Sequence, residues 1–209
     1  MWVGQDAILG DRGADPRRNE GVVLRSELVE RAQSGDRDAF DALARTVYDR
    51  LYAIARRILR DGPAAEDAVQ EALVRAWRDL RSLREADRFE AWIHRLLIRA
   101  CHDQQRRARR LEVEVTDIAP DRSDPVDDYT TIAQRDELER AFLQLSFEHR
   151  AALVLTHYVG MSAPEVAHVL GIPAGTVYSR VHYGIRVMRE ALSPAAAGVR
   201  REALAEEGR

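Results

Sequence analysis

The sequence has one cysteine, Cys101, and no lysine, so all 32 basic side chains are arginine. A single thiol excludes an internal disulfide and any metal cluster built from several cysteines. No apolar run approaches the roughly 20 residues that a membrane-spanning helix needs. The N-terminus also lacks the basic start and apolar stretch of a secretory signal. These absences predict a cytoplasmic protein with no membrane insertion.

The sequence also lacks the patterns that carry catalysis or bind metals. It has no HExxH motif, no spaced cysteine and histidine ligands, and no glycine-rich phosphate loop. Cys101 falls within an apolar helical pattern and is predicted to be a small packed side chain. We therefore predict no catalytic residue, no metal and no cofactor. The histidines are scattered along the chain, as His94, His102, His149, His157, His168 and His182.

The net charge of −3 conceals two neighbouring blocks of opposite sign. Residues 99–110 carry five arginines and one aspartate, and residues 111–128 carry seven acids and one arginine. Adjacent basic and acidic blocks indicate two surfaces with different tasks. The alternative is two solvated segments of opposite charge, and the charges alone favour neither explanation.

Apolar residues recur at helical spacing in two separate parts of the chain. Residues 26–110 are predicted to form one helical domain, and residues 132–192 a second one. Residues 111–131 between them have the proline-containing, acidic composition of a flexible linker. Residues 1–25 are predicted to be a disordered leader and residues 193–209 a polar tail. The predicted fold class is therefore all-α, with two small domains.

The helical pattern assigns side chains of the first domain to its inside or its outside. In the third predicted helix, Trp77 is assigned to the core, while Val74 is exposed among charged residues. An exposed valine with a polar rim is typical of a partner-binding helix, and a solvated helix with one stray valine explains it equally well. In the fourth predicted helix, 88–110, the pattern places His94 and Ile98 on the outer face.

The second domain ends in the pattern of a helix-turn-helix. Ser162 and Glu165 fit a capping box that starts a short helix. Gly171 supplies the left-handed turn that ends this helix. Pro173 then begins a second helix, on which Val177 and later apolar residues share a buried face.

The outward face of this second helix carries small, hydroxyl and basic side chains, with no carboxylate before Glu190. Small residues permit close approach to a DNA groove, and hydroxyl and guanidinium groups donate to bases and phosphates. An ordinary helical hairpin would mix glutamate with arginine on its solvated face, so the pattern favours DNA recognition. The face consists of Gly175, Thr176, Ser179, Arg180, His182, Tyr183 and Arg186.

Residues 26–192 resemble the extracytoplasmic-function (ECF) sigma factors, the minimal two-domain members of the bacterial sigma-70 family. Four segments carry the resemblance, in the order and spacing that the family shows. They are LVERAQSGDRDAF (28–40), AEDAVQEALVRAWRDL (65–80), RFEAWIHRLLIRACHDQQRRARR (88–110) and LGIPAGTVYSRVHYGIRVMRE (170–190).

The resemblance implies a task for each surface, with core RNA polymerase and promoter DNA as partners. The third helix is implied to dock on the polymerase, through Asp67, Gln70, Glu71, Val74 and Arg78. The fourth helix is implied to meet the −10 element, through Arg95, Arg99, His102, Arg106 and Arg109. The preceding loop, 81–87, is implied to capture an unstacked −10 base, and the helix-turn-helix to read the −35 element. An anti-sigma factor is a further partner that the family implies.

Two rival functions remain open at this point. A conventional helix-turn-helix transcriptional regulator would bind duplex DNA without being a polymerase subunit, and a dimer on a palindromic operator would favour it. That hypothesis leaves the order of segments in the first domain unexplained. A helical scaffold that binds only protein is the third possibility, and failure to bind any DNA would favour it.

Overall fold

The computed structural model describes residues 16–114 and 140–192, and every regular element within these ranges is helical. No strand occurs in either range. The predicted tail, most of the predicted linker and the first 15 residues of the predicted leader lie outside the described residues.

Four helices build the first domain, in an order that the apolar pattern anticipates. Two single 3₁₀ turns, Leu80–Ser82 and Ala86–Arg88, connect the last two helices. The helices are α1 (Pro16–Gln33), α2 (Arg37–Leu59), α3 (Gly62–Asp79) and α4 (Phe89–Glu114).

Two predicted boundaries are wrong, both because a helix continues beyond its amphipathic part. α1 begins at Pro16 and includes residues 16–25, which were assigned to the leader. Its packed portion starts near Val29, and the turns before it extend the helix by backbone hydrogen bonds that need no apolar stripe. α4 similarly runs through residues 111–114, the acidic start of the predicted linker.

Short acidic caps start α2 and α3. The carboxylate of Asp36 accepts a hydrogen bond of 3.0 Å from the backbone N–H of Ala39. The carboxylate of Asp61 does the same for Ala64 at 2.9 Å. These bonds satisfy N–H groups that have no partner inside the helix, so each cap fixes where its helix begins.

The core of the first domain follows the predicted helical stripes, with three exceptions. Leu43, Leu97 and their neighbours are fully buried. Trp77 was assigned to the core but is 42% exposed, because it packs with one edge against Phe40 at the rim of α2 and α3. Two residues of α4 were assigned to the outer face but are buried: His94 is 2% exposed and Ile98 is 7% exposed.

The second domain contains the predicted helix-turn-helix. Glu165 accepts a hydrogen bond of 2.7 Å from the backbone N–H of Ser162, which completes the capping box. Gly171 has φ +68°, a left-handed conformation that ends one helix and redirects the chain into the next. The helices are α5 (Phe147–Leu153, continued by a π-helical turn over Val154–Tyr158), α6 (Ala163–Leu170) and α7 (Ala174–Ala191).

The two domains pack on each other, and one continuous apolar cluster includes side chains of both. α5 lies on α2 and α6 lies on α4. The guanidinium of Arg150 in α5 donates 2.8 Å to the carbonyl of Ile58 near the end of α2, and 2.6 Å to the carbonyl of Leu145. We call this state, with α5 and α6 covering α2 and α4, the closed arrangement.

Candidate nucleic-acid interface

The outward face of α7 is the predicted reader of the −35 element, and the structure leaves most of it open. Nothing lies within 4 Å of the position where a side chain on Gly175 would begin, so a partner can approach the backbone there. Ser179 is exposed, and its hydroxyl donates 3.0 Å to the carbonyl of Thr176. Because that bond is local and solvent-exposed, the hydroxyl can exchange it for a DNA acceptor.

The basic end of this face is ordered by an aromatic stack. The ring of Tyr183 lies 4.4 Å from the ring of His149, and the guanidinium of Arg186 lies 5.1 Å from the centre of the same tyrosine ring. Burial, followed by the positive charge of Arg180, lowers the pKa of His149, so the stack is held by a neutral imidazole. Tyr183 therefore positions Arg186 at a surface where it remains largely exposed.

Arg180 differs from the rest of the face because it turns toward the first domain. It is half-buried and lines a cavity that α4 closes from the other side. His182 and Arg186 point to solvent instead. Six of the seven predicted −35 residues thus stay on the open side of α7, and the structure separates Arg180 from them.

The predicted −10 surface of α4 is partly covered in the closed arrangement. Arg95 is half-buried, and one of its terminal nitrogens contacts the ring of His168 in α6. The ring of His102 meets the ring of Phe147 edge-on at 5.6 Å. Exposed arginines continue the surface toward the C-terminal end of α4, as Arg99, Arg106 and Arg109.

The loop before α4 is held in place by the first helix. The side-chain amide of Gln33 donates 3.1 Å to the carbonyl of Leu80 and 2.6 Å to the carbonyl of Leu83. Leu83 is buried, so the loop is anchored at its centre. Gln33 was missed by the sequence analysis, since an amide at a helix end carries no periodic pattern.

The predicted polymerase-docking surface lies on α3. Val74 is 60% exposed, and the exposed face of Trp77 extends the apolar centre beside it. Glu71 is half-buried and accepts a 2.8 Å bond from Arg75, which also pairs with Asp103 of α4. The other three predicted docking residues form the exposed polar rim, namely Asp67, Gln70 and Arg78.

Two buried titratable groups lie beneath these surfaces. Burial, followed by the positive charge of Arg50, lowers the pKa of His94 to about 4. Burial raises the pKa of the Cys101 thiol to about 12, so the thiolate form that reacts with oxidants or metals is strongly disfavoured. Both side chains therefore belong to the core of the first domain.

Two kinds of feature are absent from the described ranges. Neither 16–114 nor 140–192 contains a helix both long and apolar enough to cross a membrane. Within the same ranges, no group of three or more histidine, cysteine and acidic side chains could hold a metal ion.

Comparison with known proteins identifies the class of fold. Residues 43–111 match the family Sigma-70 region 2, and residues 135–186 match the family Sigma-70, region 4. The first match covers the helices that carry the predicted polymerase and −10 surfaces, and the second covers the helix-turn-helix. A two-domain sigma-70 architecture also accounts for the first domain, which a conventional helix-turn-helix regulator does not.

Individual relatives define the family more closely. The chain is similar to the ECF RNA polymerase sigma factor SigM of Mycobacterium tuberculosis, 35% identical over 181 residues that span 85% of this chain and 86% of SigM. SigL of the same species is 38% identical over 164 residues, or 75% of this chain and 92% of SigL. The solved structure of CnrH with the cytosolic domain of CnrY matches 81% of this chain and 97% of CnrH, at 28% identity and a TM-score of 0.58. The chain belongs to the ECF sigma factors of the sigma-70 family.

Proposed function

We propose that this chain binds core RNA polymerase and directs promoter-specific initiation, with α7 reading the −35 element and α4 with its loop reading the −10 element. The observation that carries the proposal is the open, carboxylate-free face of α7 on a helix-turn-helix, in one chain with the region 2 fold. Helices of this kind enter the major groove with their N-terminal residues against the bases. The polymerase supplies the chemistry, and the chain acts with it in the cytoplasm.

Contact between the −10 element and the whole predicted −10 surface requires the closed arrangement to open, because Arg95 is covered while the other four residues stay exposed. Arg95 cannot contact DNA while His168 and α6 lie against it. The exposed apolar centre of α3, at Val74 and Trp77, faces away from the covered surface and is available in either state. Polymerase binding through α3 can therefore come first, and the gain from docking the second domain elsewhere on the polymerase would shift the equilibrium to an open state.

A protein regulator is a second expected partner. CnrH, which this chain resembles over most of its length, was solved with the cytosolic domain of CnrY bound. We propose that this chain also binds a partner protein, and that this partner is of the anti-sigma class and restrains the chain. Co-purification of the chain from its own organism would identify this partner.

Run-off transcription with purified core enzyme on a promoter library tests the function. We expect Arg186→Ala to lower transcription about tenfold by removing a −35 contact, while core binding is unchanged. Val74→Glu should instead lower core binding, because a carboxylate replaces the apolar centre of the docking surface. Two matched controls change exposed positions with no assigned contact. Arg45→Ala also removes an arginine, and Leu24→Glu also replaces an exposed apolar side chain with a carboxylate.

Two outcomes would contradict the proposal. If the chain neither associates with core enzyme nor directs initiation at any start site, the sigma function is wrong. If the double variant Arg180→Ala and Arg186→Ala transcribes a cognate promoter as well as the parent chain, the assignment of the α7 face is wrong.

A further inference from the structure

A cavity of about 400 Å³ lies between the two domains in the closed arrangement. α4 forms one wall, and α6, the start of α5 and Arg180 of α7 form the other. This volume falls in the range of cavities that enclose small ligands. The cavity exists only while the domains are packed together, so anything bound in it reports on that packing.

Basic side chains outnumber the acids around this cavity, with three arginines against Asp103 and Glu148. Arg95, Arg99 and Arg180 all line it, and none forms an ion pair with a carboxylate in the described ranges. The Nε of Arg95 is buried without a hydrogen-bond partner, while its terminal nitrogen contacts the ring of His168. Three guanidinium groups therefore border one space, and the buried Nε of Arg95 is a donor without a partner there.

The acids that border the cavity are already engaged in part elsewhere. The carboxylate of Asp103 accepts a hydrogen bond of 2.9 Å from Arg75 of α3. The carboxylate of Glu148 accepts 2.7 Å from the hydroxyl of Ser146, and this bond and, to a smaller extent, the charge of Arg180 lower its pKa, so Glu148 partly compensates Arg180. Arg95 and Arg180 are half-buried, and the arginines outnumber the acids, so part of the positive charge lacks a counter-charge in a partly desolvated site, which is unfavourable. An anionic ligand would remove that cost.

Apolar side chains complete the lining and narrow the class of ligand. Phe147, Ile98 and Ile172 face the same space as the arginines. Inorganic phosphate would use the guanidinium groups and leave this apolar wall unfilled. A nucleotide has both parts, because its phosphates suit arginine and its planar base suits aromatic and aliphatic surfaces.

We propose that the cavity between α4 and α6 binds a small phosphorylated ligand of the nucleotide class, and that this ligand stabilises the closed arrangement. Arg95, Arg99 and Arg180 bind its phosphates, and Phe147 with its apolar neighbours contacts the base. Arg95 and Arg99 are also predicted −10 contacts, so the ligand and the promoter compete for them. Only this competition rests on the proposed function; the binding site itself does not.

Isothermal titration of the full chain, without polymerase or DNA, tests the site with ATP, GTP, pyrophosphate and adenosine as probes in magnesium-free buffer. We expect saturable binding of at least one nucleoside triphosphate, weakened about tenfold by Arg99→Ala and by Arg180→Ala. Arg186→Ala is the matched control, because it removes the same charge from the open side of α7 and should leave binding within about twofold. Arg99 is exposed, so its loss does not threaten folding.

Three results would overturn the proposal. If neither ATP nor GTP binds saturably, the proposed nucleotide site does not exist. Equal weakening by Arg186→Ala and Arg180→Ala shows general attraction of anions to the DNA-binding face. Pyrophosphate binding as tight as that of the triphosphates shows that the apolar wall holds no base. Each result leaves the sigma function untouched, since transcription is measured separately.

Discussion

His94 is a base that the fold keeps neutral. It is 2% exposed, its Nδ1 has no hydrogen-bond partner, and α1 and α2 bring Arg25 and Arg50 toward it. Glu90, one turn earlier on α4, is the one acid among these neighbours, and both arginines already pair with it. Burial and the two positive charges together lower the pKa of His94 to about 4, from an ordinary value of 6.5.

This lowered pKa predicts a loss of stability on acidification. The unfolded chain binds a proton at His94 near pH 6.5, whereas the folded chain does not until about pH 4. Stability from neutral His94 is therefore complete above pH 6.5 and declines as the pH falls toward 4, by about 3 kcal/mol in total. Urea unfolding at a series of pH values measures it, with His94→Gln as the control that lacks this titration. Equal pH slopes for the two chains between pH 6.5 and 4 would contradict the prediction.

At the scale of an element, α7 carries the predicted −35 face on one side and packs against α5 on the other, where Gly184 lies. A Cβ at Gly184 would lie 2.7 Å from Cδ1 and 3.2 Å from Cγ of Leu153 in α5. The glycine thus lets α7 approach α5 closely. On sequence grounds alone a glycine here costs about 1 kcal/mol of helix stability relative to alanine.

We expect Gly184→Ala to destabilise the chain by about 1 kcal/mol, because overpacking against Leu153 outweighs the gain in helix propensity. Gly175→Ala on the same helix is the matched control, since its new methyl group meets nothing within 4 Å and stability should be unchanged or slightly higher. Thermal unfolding followed by circular dichroism measures both. A more stable Gly184→Ala chain would show that α5 and α7 yield to the added methyl group without strain.

Elements with local determinants were predictable, and side chains whose surroundings come from distant helices were not. The capping box of Ser162 and Glu165 and the turn at Gly171 depend on neighbours within a few residues, so the sequence alone locates them. Trp77 and His94 depend on how α1 and α2 pack against α3 and α4, which periodicity along one helix does not report. The −35 face is predicted from local pattern and stays a prediction, while the turning of Arg180 toward α4 depends on packing between domains and was missed.

At the scale of the whole molecule, the closed arrangement covers part of the predicted −10 surface. The domains meet through apolar contacts and through Arg150, which is buried and whose pKa is lowered, first by burial and then by the charge of Arg60. Its two hydrogen bonds go to carbonyls, one of them at the end of α2 in the other domain. No carboxylate of the described residues pairs with it. The junction therefore depends on a cation that is solvated by backbone oxygens and is costly to bury.

Weakening this junction should raise the affinity for DNA even as it lowers stability. Arg150→Met removes both hydrogen bonds, and we expect a loss of about 2 kcal/mol in the free energy of unfolding. Because the open state becomes more populated, the apparent affinity for a fluorescent −10 single strand should rise about fivefold. Gly184→Ala is the control, since it perturbs packing inside the second domain and leaves the junction alone. Fluorescence anisotropy measures the affinity, and small-angle scattering measures the expected increase in the size of the chain. If Arg150→Met lowers stability but leaves both affinity and size unchanged, domain packing does not limit access to α4.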